Sequence, residues 1–211
     1  RHLVLHRRYY QGDDKPWHRI RNADDRREAA EVVRMMTEAA EQEYSLAQYF
    51  LGNMHRDGEG LPQSDALAVA WHRKAADQGD AQAQCNLGVM YKDGRGGLPQ
   101  SGALAAEWFR KAADQGYAHA QFNLALMYED GKGGLPQSDA LAVEWYRKAA
   151  DQGHPDAQNN LGVTYKHGRG VPQSDALAVE WFRKAADQGE AQAQSNLGIM
   201  YQQGRGGLPQ S

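Results

Sequence analysis

The sequence holds a single cysteine and no long hydrophobic run, and each absence excludes a class of protein. Cys85 has no second cysteine with which to form an intrachain disulfide, so an intracellular compartment is favoured over an extracellular one. No apolar segment approaches the roughly 18 residues of a membrane-spanning helix, and we therefore expect no direct membrane span. The apolar triplet Leu3-Val4-Leu5 is also too short for the core of a signal peptide.

A large charge of one sign is lacking too, because 24 Lys and Arg against 27 Asp and Glu leave a formal net charge of −3. This balance predicts no basic surface for nucleic acid. Residues 1–27 are the exception, with eight Lys and Arg against four Asp. Two interpretations of this basic N-terminal arm are open: it contacts an acidic partner, or it is a solvated charged lead-in.

The residue sets that carry catalysis are absent as well. Without a serine–histidine–acid set or a glycine–serine elbow, the sequence predicts no catalytic residues, no enzymatic activity and no cofactor. Gly94-Arg95-Gly96-Gly97 is glycine-rich, but it joins two predicted helices and no Gly-Lys-Ser/Thr follows, so a structural turn is favoured over a phosphate loop. The eight histidines occupy unrelated positions of the repeat described next. Because metal ligands must converge on one point, no metal site is predicted.

What the sequence does have is a repeated segment. Its tryptophan recurs at Trp71, Trp108, Trp145 and Trp181, in steps of 37, 37 and 36 residues. A fixed period in this range is typical of stacked arrays, in which each repeat packs on its neighbours. Apolar residues at helical spacing predict two helices in each repeat and no strand.

Small residues predict where these helices end and touch. Glycines such as Gly94 are expected to end the first helix in the left-handed conformation, and serines such as Ser101 to cap the second. A glycine inside the first helix, Gly52 and its counterparts, costs about 1 kcal/mol relative to alanine. We therefore expect the facing helix to come too close there for a side chain. The tryptophan column, at helical spacing, predicts the buried core of the array.

Two segments carry a family resemblance. The pattern Leu-Gly-x-Met-Tyr-x-x-Gly-x-Gly at residues 87–96 and the pattern Ala-x-x-Trp-x-x-Lys-Ala-Ala-x-x-Gly at residues 142–153 resemble the Sel-1-like repeat family, a relative of tetratricopeptide repeats. The resemblance implies an all-α fold, an α-solenoid built as a right-handed superhelix of antiparallel helix pairs with a period of 36–37 residues. It also implies a concave groove, lined by first helices, that holds other proteins.

The resemblance divides the chain into two parts. Residues 1–28 form an atypical charged N-terminal arm, and residues 29–211 form the repeat array, with a degenerate leading helix, four full repeats, and the first helix and loop of a fifth. Because the chain opens on arginine and stops inside a repeat, we expect a fragment of a longer product whose array continues.

Four columns of the first helix vary between repeats while scaffold positions barely change. Their spacing places them on one stripe of the helix, which in the family faces the groove. The predicted protein-binding residues are Leu46, Gln82, His119 and Asp156 in the first column, Tyr49, Cys85, Phe122 and Asn159 in the second, Arg56, Lys92, Glu129 and Lys166 in the third, and His167 in the fourth. Cys85 is expected to be a surface or groove thiol.

These columns predict a non-catalytic adaptor or scaffold that binds a segment of another protein in the groove. Tyr49 and Phe122 are the expected anchors, because aromatic side chains dominate interface energies. Two alternatives stay open. One is a permanent structural subunit of a large assembly, and the other is a plain solvated groove.

Overall fold

The structure is a computed structural model that describes residues 23–207, and all regular elements in that range are α-helices. They fall into two compact units, Arg1–Gln100 and Ser101–Ser211, here called the N-terminal and C-terminal units. In the N-terminal unit the described helices are α1 (Ala23–Glu41), α2 (Ser45–Asp57), α3 (Asp65–Asp77) and α4 (Ala81–Asp93). In the C-terminal unit they are α5 (Gly102–Asp114), α6 (Ala118–Asp130), α7 (Asp139–Asp151), α8 (Pro155–His167), α9 (Asp175–Asp187) and α10 (Ala191–Gln202).

The leading helix begins earlier than expected. Helix α1 begins at Ala23, inside the segment 1–28 that was predicted to be an arm. Residues 26–32, Arg-Arg-Glu-Ala-Ala-Glu-Val, include several strong helix formers, which explains the longer helix. The rest of the arm, and with it the suggested acidic partner, lies outside the described residues.

The predicted helix boundaries are confirmed. Each full second helix begins after a serine whose side chain accepts a hydrogen bond from the backbone N–H three residues on, as Ser101 does from Leu104 at 3.3 Å. The first helices α2, α4, α6 and α8 end on a glycine in the left-handed conformation, for example Gly94 with φ of 67°. These two local signals define the helical hairpin that each repeat contributes.

The glycine-rich loop packs as a structural turn. Arg95 makes two hydrogen bonds to the carboxylate of Asp65, of 2.8 and 3.1 Å. Gly96 lies so close to the backbone of Asp65 that a Cβ atom there would clash with its carbonyl oxygen. The loop of one repeat is thereby fastened to the second helix of the repeat before it.

Consecutive helices pack closely within each unit because the contact surfaces consist of small residues. A Cβ atom on Gly52 of α2 would lie 2.7 Å from the ring of His72 on α3. A Cβ atom on Gly162 of α8 would lie 2.6 Å from the ring of Phe182 on α9. The prediction that the facing helix leaves no room for a side chain is therefore confirmed at both positions.

The prediction that the tryptophan column forms the core is wrong. Trp145 and its counterparts are half-buried, and a lysine three residues on covers each ring, with Lys148 Nζ 3.8 Å from the ring centroid of Trp145. The fully buried side chain is the next residue of each second helix: His72, Phe109, Tyr146 and Phe182. Because an indole is large and carries a polar N–H, it is favoured at a boundary where one face meets solvent.

A row of buried glutamines, which the sequence interpretation missed, links successive repeats. The side-chain amide of Gln121 donates to the carbonyl oxygen of Ala113 at 3.2 Å, and Gln158 donates in the same way to Ala150 at 3.1 Å. Gln152 then donates to the side-chain oxygen of Gln121 at 2.8 Å. Each glutamine thus satisfies a carbonyl near the end of the preceding second helix, a group that helix geometry leaves unpaired.

Candidate protein-binding surface on the first helices

In the N-terminal unit, the predicted stripe lies on α2 and α4 and is unevenly exposed. Gln82 and Lys92 are exposed, whereas Leu46, Tyr49 and Arg56 are half-buried. The Tyr49 ring lies 5.1 Å from the ring of Phe50 and 5.9 Å from the ring of His72, centroid to centroid. Arg56 is paired with the neighbouring carboxylate of Asp57 at 2.8 Å. This stripe therefore offers a partly exposed aromatic ring between polar side chains.

The expectation that Cys85 is a surface or groove thiol is wrong. Only 4% of its surface is exposed, and this burial raises the pKa of the thiol to about 12. The thiol therefore stays protonated at neutral pH and cannot serve as a nucleophile. A column that accepts five different residues suggested an uncovered position, but a small thiol is compatible with burial as well.

In the C-terminal unit, the stripe lies on α6 and α8. His119, Asp156 and His167 are exposed, and Phe122 and Lys166 are half-buried. Each of these five side chains can therefore be reached from solvent, at least in part.

Asn159, the remaining stripe residue of the second column in this unit, is buried with 7% of its surface exposed. Its side-chain oxygen accepts a hydrogen bond from Asn196 on α10 at 2.9 Å. The side chain thus links two successive first helices, and little of its surface is open to a partner.

Glu129 is already engaged within the fold. Its carboxylate accepts a hydrogen bond from the Tyr146 hydroxyl at 2.5 Å and pairs with Arg169 at 2.8 Å. Asn160 donates to the same hydroxyl at 3.2 Å. Burial, together with the Glu129 carboxylate, raises the pKa of Tyr146 above its ordinary value. This network ties α6, α7 and α8 together, so Glu129 has a structural role beside its place on the stripe.

Two histidines meet at one end of this stripe, although the sequence interpretation placed the histidines in unrelated columns. His154 caps α8, and its Nε2 atom lies 3.0 Å from Nδ1 of His119 on α6. The ring of Phe122 is stacked on that of His154 at 4.9 Å, and the ring of Tyr117 lies 5.4 Å from that of His119. The two histidines are 35 residues apart, close to one repeat, which brings the starts of successive first helices side by side.

Chemically, the arrangement suits contact rather than reaction. Within residues 23–207, no group of three or more His, Cys, Asp or Glu side chains is placed to hold a metal ion. In the same range, no helix has both the length and the apolar composition that crossing a bilayer requires.

Comparison with solved structures identifies proteins of the same fold. A protective antigen present in uropathogenic Escherichia coli strains, displaying an SLR fold, is 39% identical over 99% of this chain, with a TM-score of 0.82. A Sel1 repeat protein from Oxalobacter formigenes is 31% identical over 90% of this chain and 78% of its own, with a TM-score of 0.78. A putative Sel1 repeat protein from Klebsiella pneumoniae is 26% identical over 82% of this chain and 83% of its own, with a TM-score of 0.54. The chain spans 42% of the length of the E. coli protein.

A search of curated proteins finds no match. The sequence profile of the Sel1 repeat, by contrast, matches five consecutive segments, at residues 45–80, 81–117, 118–154, 155–190 and 191–211. Such repeats generally act as protein–protein interaction modules and are typically not catalytic. With five matched repeats and close structural relatives, the chain belongs to the Sel1 repeat family.

Proposed function

We propose that the chain is a non-catalytic adaptor or scaffold, which binds a segment of a partner protein along the variable stripe of its first helices. The observation that carries this proposal is a contrast within each first helix. In α6, for example, Ala120 and Leu124 are fully buried and keep their identity between repeats, whereas His119 and Phe122 change between repeats and reach solvent. Side chains that the fold does not specify are free to specify a partner.

The accessible part of the stripe is smaller than the full set of variable columns. Cys85 and Asn159 are buried, and Glu129 is held by Arg169 and Tyr146. The proposed contact residues are therefore the remaining ones: Leu46, Tyr49, Arg56, Gln82 and Lys92 in the N-terminal unit, and His119, Phe122, Asp156, Lys166 and His167 in the C-terminal unit.

Tyr49 and Phe122 are the proposed anchors, one in each unit. Both rings are half-buried and rest against other rings of the scaffold, Tyr49 on Phe50 and Phe122 on His154. A ring that is already held in place loses little conformational entropy when a partner covers its remaining surface. This is the usual setting of an interface residue with a large energetic effect.

The proposal is tested by affinity capture from source material with three versions of the chain. These are the parent, a stripe variant carrying Tyr49→Ala and Phe122→Ala, and a control variant carrying Leu67→Ala and Leu177→Ala. The two control leucines are 46% and 38% exposed on the second helices α3 and α9, away from the stripe. Thermal melts of all three versions establish that they remain folded.

A protein held by the parent and by the control, but lost from the stripe variant, supports the proposal. With the purified partner we expect the stripe variant to bind about 30-fold or more weakly, the loss that removing one interface anchor typically causes. If the stripe variant binds as tightly as the parent, the assignment of the surface is wrong. If the bound partner never exchanges with added labelled partner and keeps a fixed ratio, the chain is a permanent structural subunit instead of an adaptor.

A further inference from the structure

The histidine pair of the C-terminal unit shares one proton. The backbone N–H of Ala157 donates to Nδ1 of His154 at 3.4 Å, so this nitrogen carries no proton in the neutral ring. Nε2 of His154 therefore holds the proton and donates it to the unprotonated Nδ1 of His119, 3.0 Å away. The arrangement leaves two imidazole nitrogens on either side of a single hydrogen.

The repeat does not require a histidine at either position. In other repeats the place of His119 is taken by Gln82 and Gln192, and the capping role of His154 is filled by Asp80, whose carboxylate accepts the backbone N–H of Ala83 at 2.8 Å. The fold is thus maintained without a second imidazole, and the pair needs an explanation other than stability.

The two rings differ in mobility in a way that suits a binding site. His154 is buried, with 7% of its surface exposed, and is stacked on Phe122 with an angle of 21° between the rings. His119 is exposed and meets His154 edge-on, at 4.6 Å between centroids. Burial, and then the neighbouring His119, lower the pKa of His154, which keeps its ring neutral at neutral pH. One ligand is therefore fixed, and the other can adjust.

We propose that His119 Nδ1 and His154 Nε2 bind a divalent transition-metal ion with a preference for imidazole, such as Zn²⁺, in the place of the shared proton. Metal–nitrogen bonds of about 2.0–2.1 Å at a tetrahedral angle put two ligating nitrogens about 3.3 Å apart. The observed separation is 3.0 Å, so the rings need to part by only a few tenths of an ångström. The remaining coordination positions face solvent on the His119 side and are filled by water.

Asp156 completes the arrangement as a positioning residue. When Nε2 of His154 takes the metal, its proton moves to Nδ1, so the ring stays neutral and no net proton is released. The carboxylate of Asp156 lies 3.9 Å from Nδ1 and is 58% exposed, so a small movement lets it accept this proton in a hydrogen bond. Carboxylates orient metal-bound histidines in this way. The site does not depend on the proposed binding of a protein partner.

The test is zinc binding by the complete chain, without a polyhistidine tag and after treatment with a chelator, measured by isothermal titration calorimetry. The variants use residues that the chain itself places at these positions, His119→Gln and His154→Asp, singly and together. His167→Gln is the matched control, since His167 is an exposed histidine of the same helix and Gln203 stands at its position in the last repeat. Circular dichroism confirms that each variant is folded.

We expect the parent to bind one equivalent of Zn²⁺ beyond what the double variant binds, and each single variant to bind at least 10-fold more weakly. The His167→Gln control should match the parent. With Cu²⁺, electron paramagnetic resonance of the parent should show two nitrogen ligands, a pattern lost in either single variant. The proposal is overturned if the parent binds no more zinc than the double variant, or if His167→Gln weakens binding as much as His119→Gln.

Discussion

The substitution His72→Phe should stabilise the N-terminal unit and remove a large part of its sensitivity to mild acid. His72 is fully buried on α3, and neither ring nitrogen has a hydrogen-bond partner. Phe182 fills the corresponding place on α9, where the facing Gly162 leaves the same room that Gly52 leaves for His72. A phenyl ring therefore fits this position, and it has no polar atoms to desolvate.

The magnitude follows from the pKa of His72, which burial lowers from its ordinary 6.5 to about 3, with a smaller lowering by Arg56 and a raising by Asp57. Because the folded-state pKa lies below the unfolded one, the unfolded chain binds the proton more readily. The stability is fully present above pH 6.5 and is lost as pH falls from there towards 3. At about 1.36 kcal/mol per pH unit, the parent loses about 2 kcal/mol at pH 5 through this histidine alone. Removing the unpaired polar atoms should add about 1–3 kcal/mol at pH 7.

Urea unfolding followed by circular dichroism at pH 7, 6 and 5 measures this difference. Hydrogen exchange of α2 and α3 assigns it to the N-terminal unit, because repeat arrays need not unfold in one step. The exposed His167→Gln control should keep the pH dependence of the parent. The reasoning is refuted if His72→Phe loses as much free energy of unfolding between pH 7 and pH 5 as the parent does.

Two paired substitutions test the packing of the repeats in the C-terminal unit. Gln121→Met should lower the free energy of unfolding by about 1–3 kcal/mol, because it leaves a buried carbonyl of the preceding helix unpaired. The equivalent Gln194→Met should cost less, since that hydrogen bond is exposed; urea titrations that rank the two in reverse would contradict the role of the glutamine row. Tyr146→Ala should cost about 3–5 kcal/mol, as expected for a fully buried aromatic residue, and Trp145→Ala clearly less. Thermal melts that give equal losses would mean that the core is assigned to the wrong column.

The helix boundaries were predictable from the sequence because they depend on local chemistry. The Ser101 cap acts on a backbone N–H three residues away, and Gly94 ends its helix through its own backbone conformation. The close approach at Gly52 was predictable for a related reason. A residue with a known local cost at a repeated position requires a tertiary contact that compensates for it.

The core and the histidine pair depend on geometry that no single helix contains. Trp145 and Tyr146 lie about 100° apart around α7, and only the placement of the neighbouring helices decides which of them is enclosed. His119 and His154 stand at different positions of the repeat, so aligning the repeats separates them. Their contact arises because the start of α8 lies beside the start of α6, a consequence of stacking rather than of helical period.

Comparison of repeats within the chain nevertheless contains tertiary information that periodicity alone does not use. Asp65 binds Arg95, and Asp175 binds Arg205, in both cases 30 residues apart. In the repeat where glycine replaces the aspartate, at position 102, the partner position 132 is lysine, and that lysine pairs with Asp130 instead. The two positions change in the same repeat because each has lost the reason for the other.

A second pair of columns changes in the same way. Arg110 donates to the Tyr128 hydroxyl at 2.7 Å, and the same contact, 18 residues apart, occurs in the other repeats that carry both residues. The first repeat has His55 in the tyrosine column, and the residue 18 positions earlier is Thr37 rather than arginine. Thr37 donates to the carbonyl of Val33 in its own helix. Two columns that depart from the pattern together are therefore expected to touch, which makes the exceptions within a repeat protein as informative about its contacts as the regular positions.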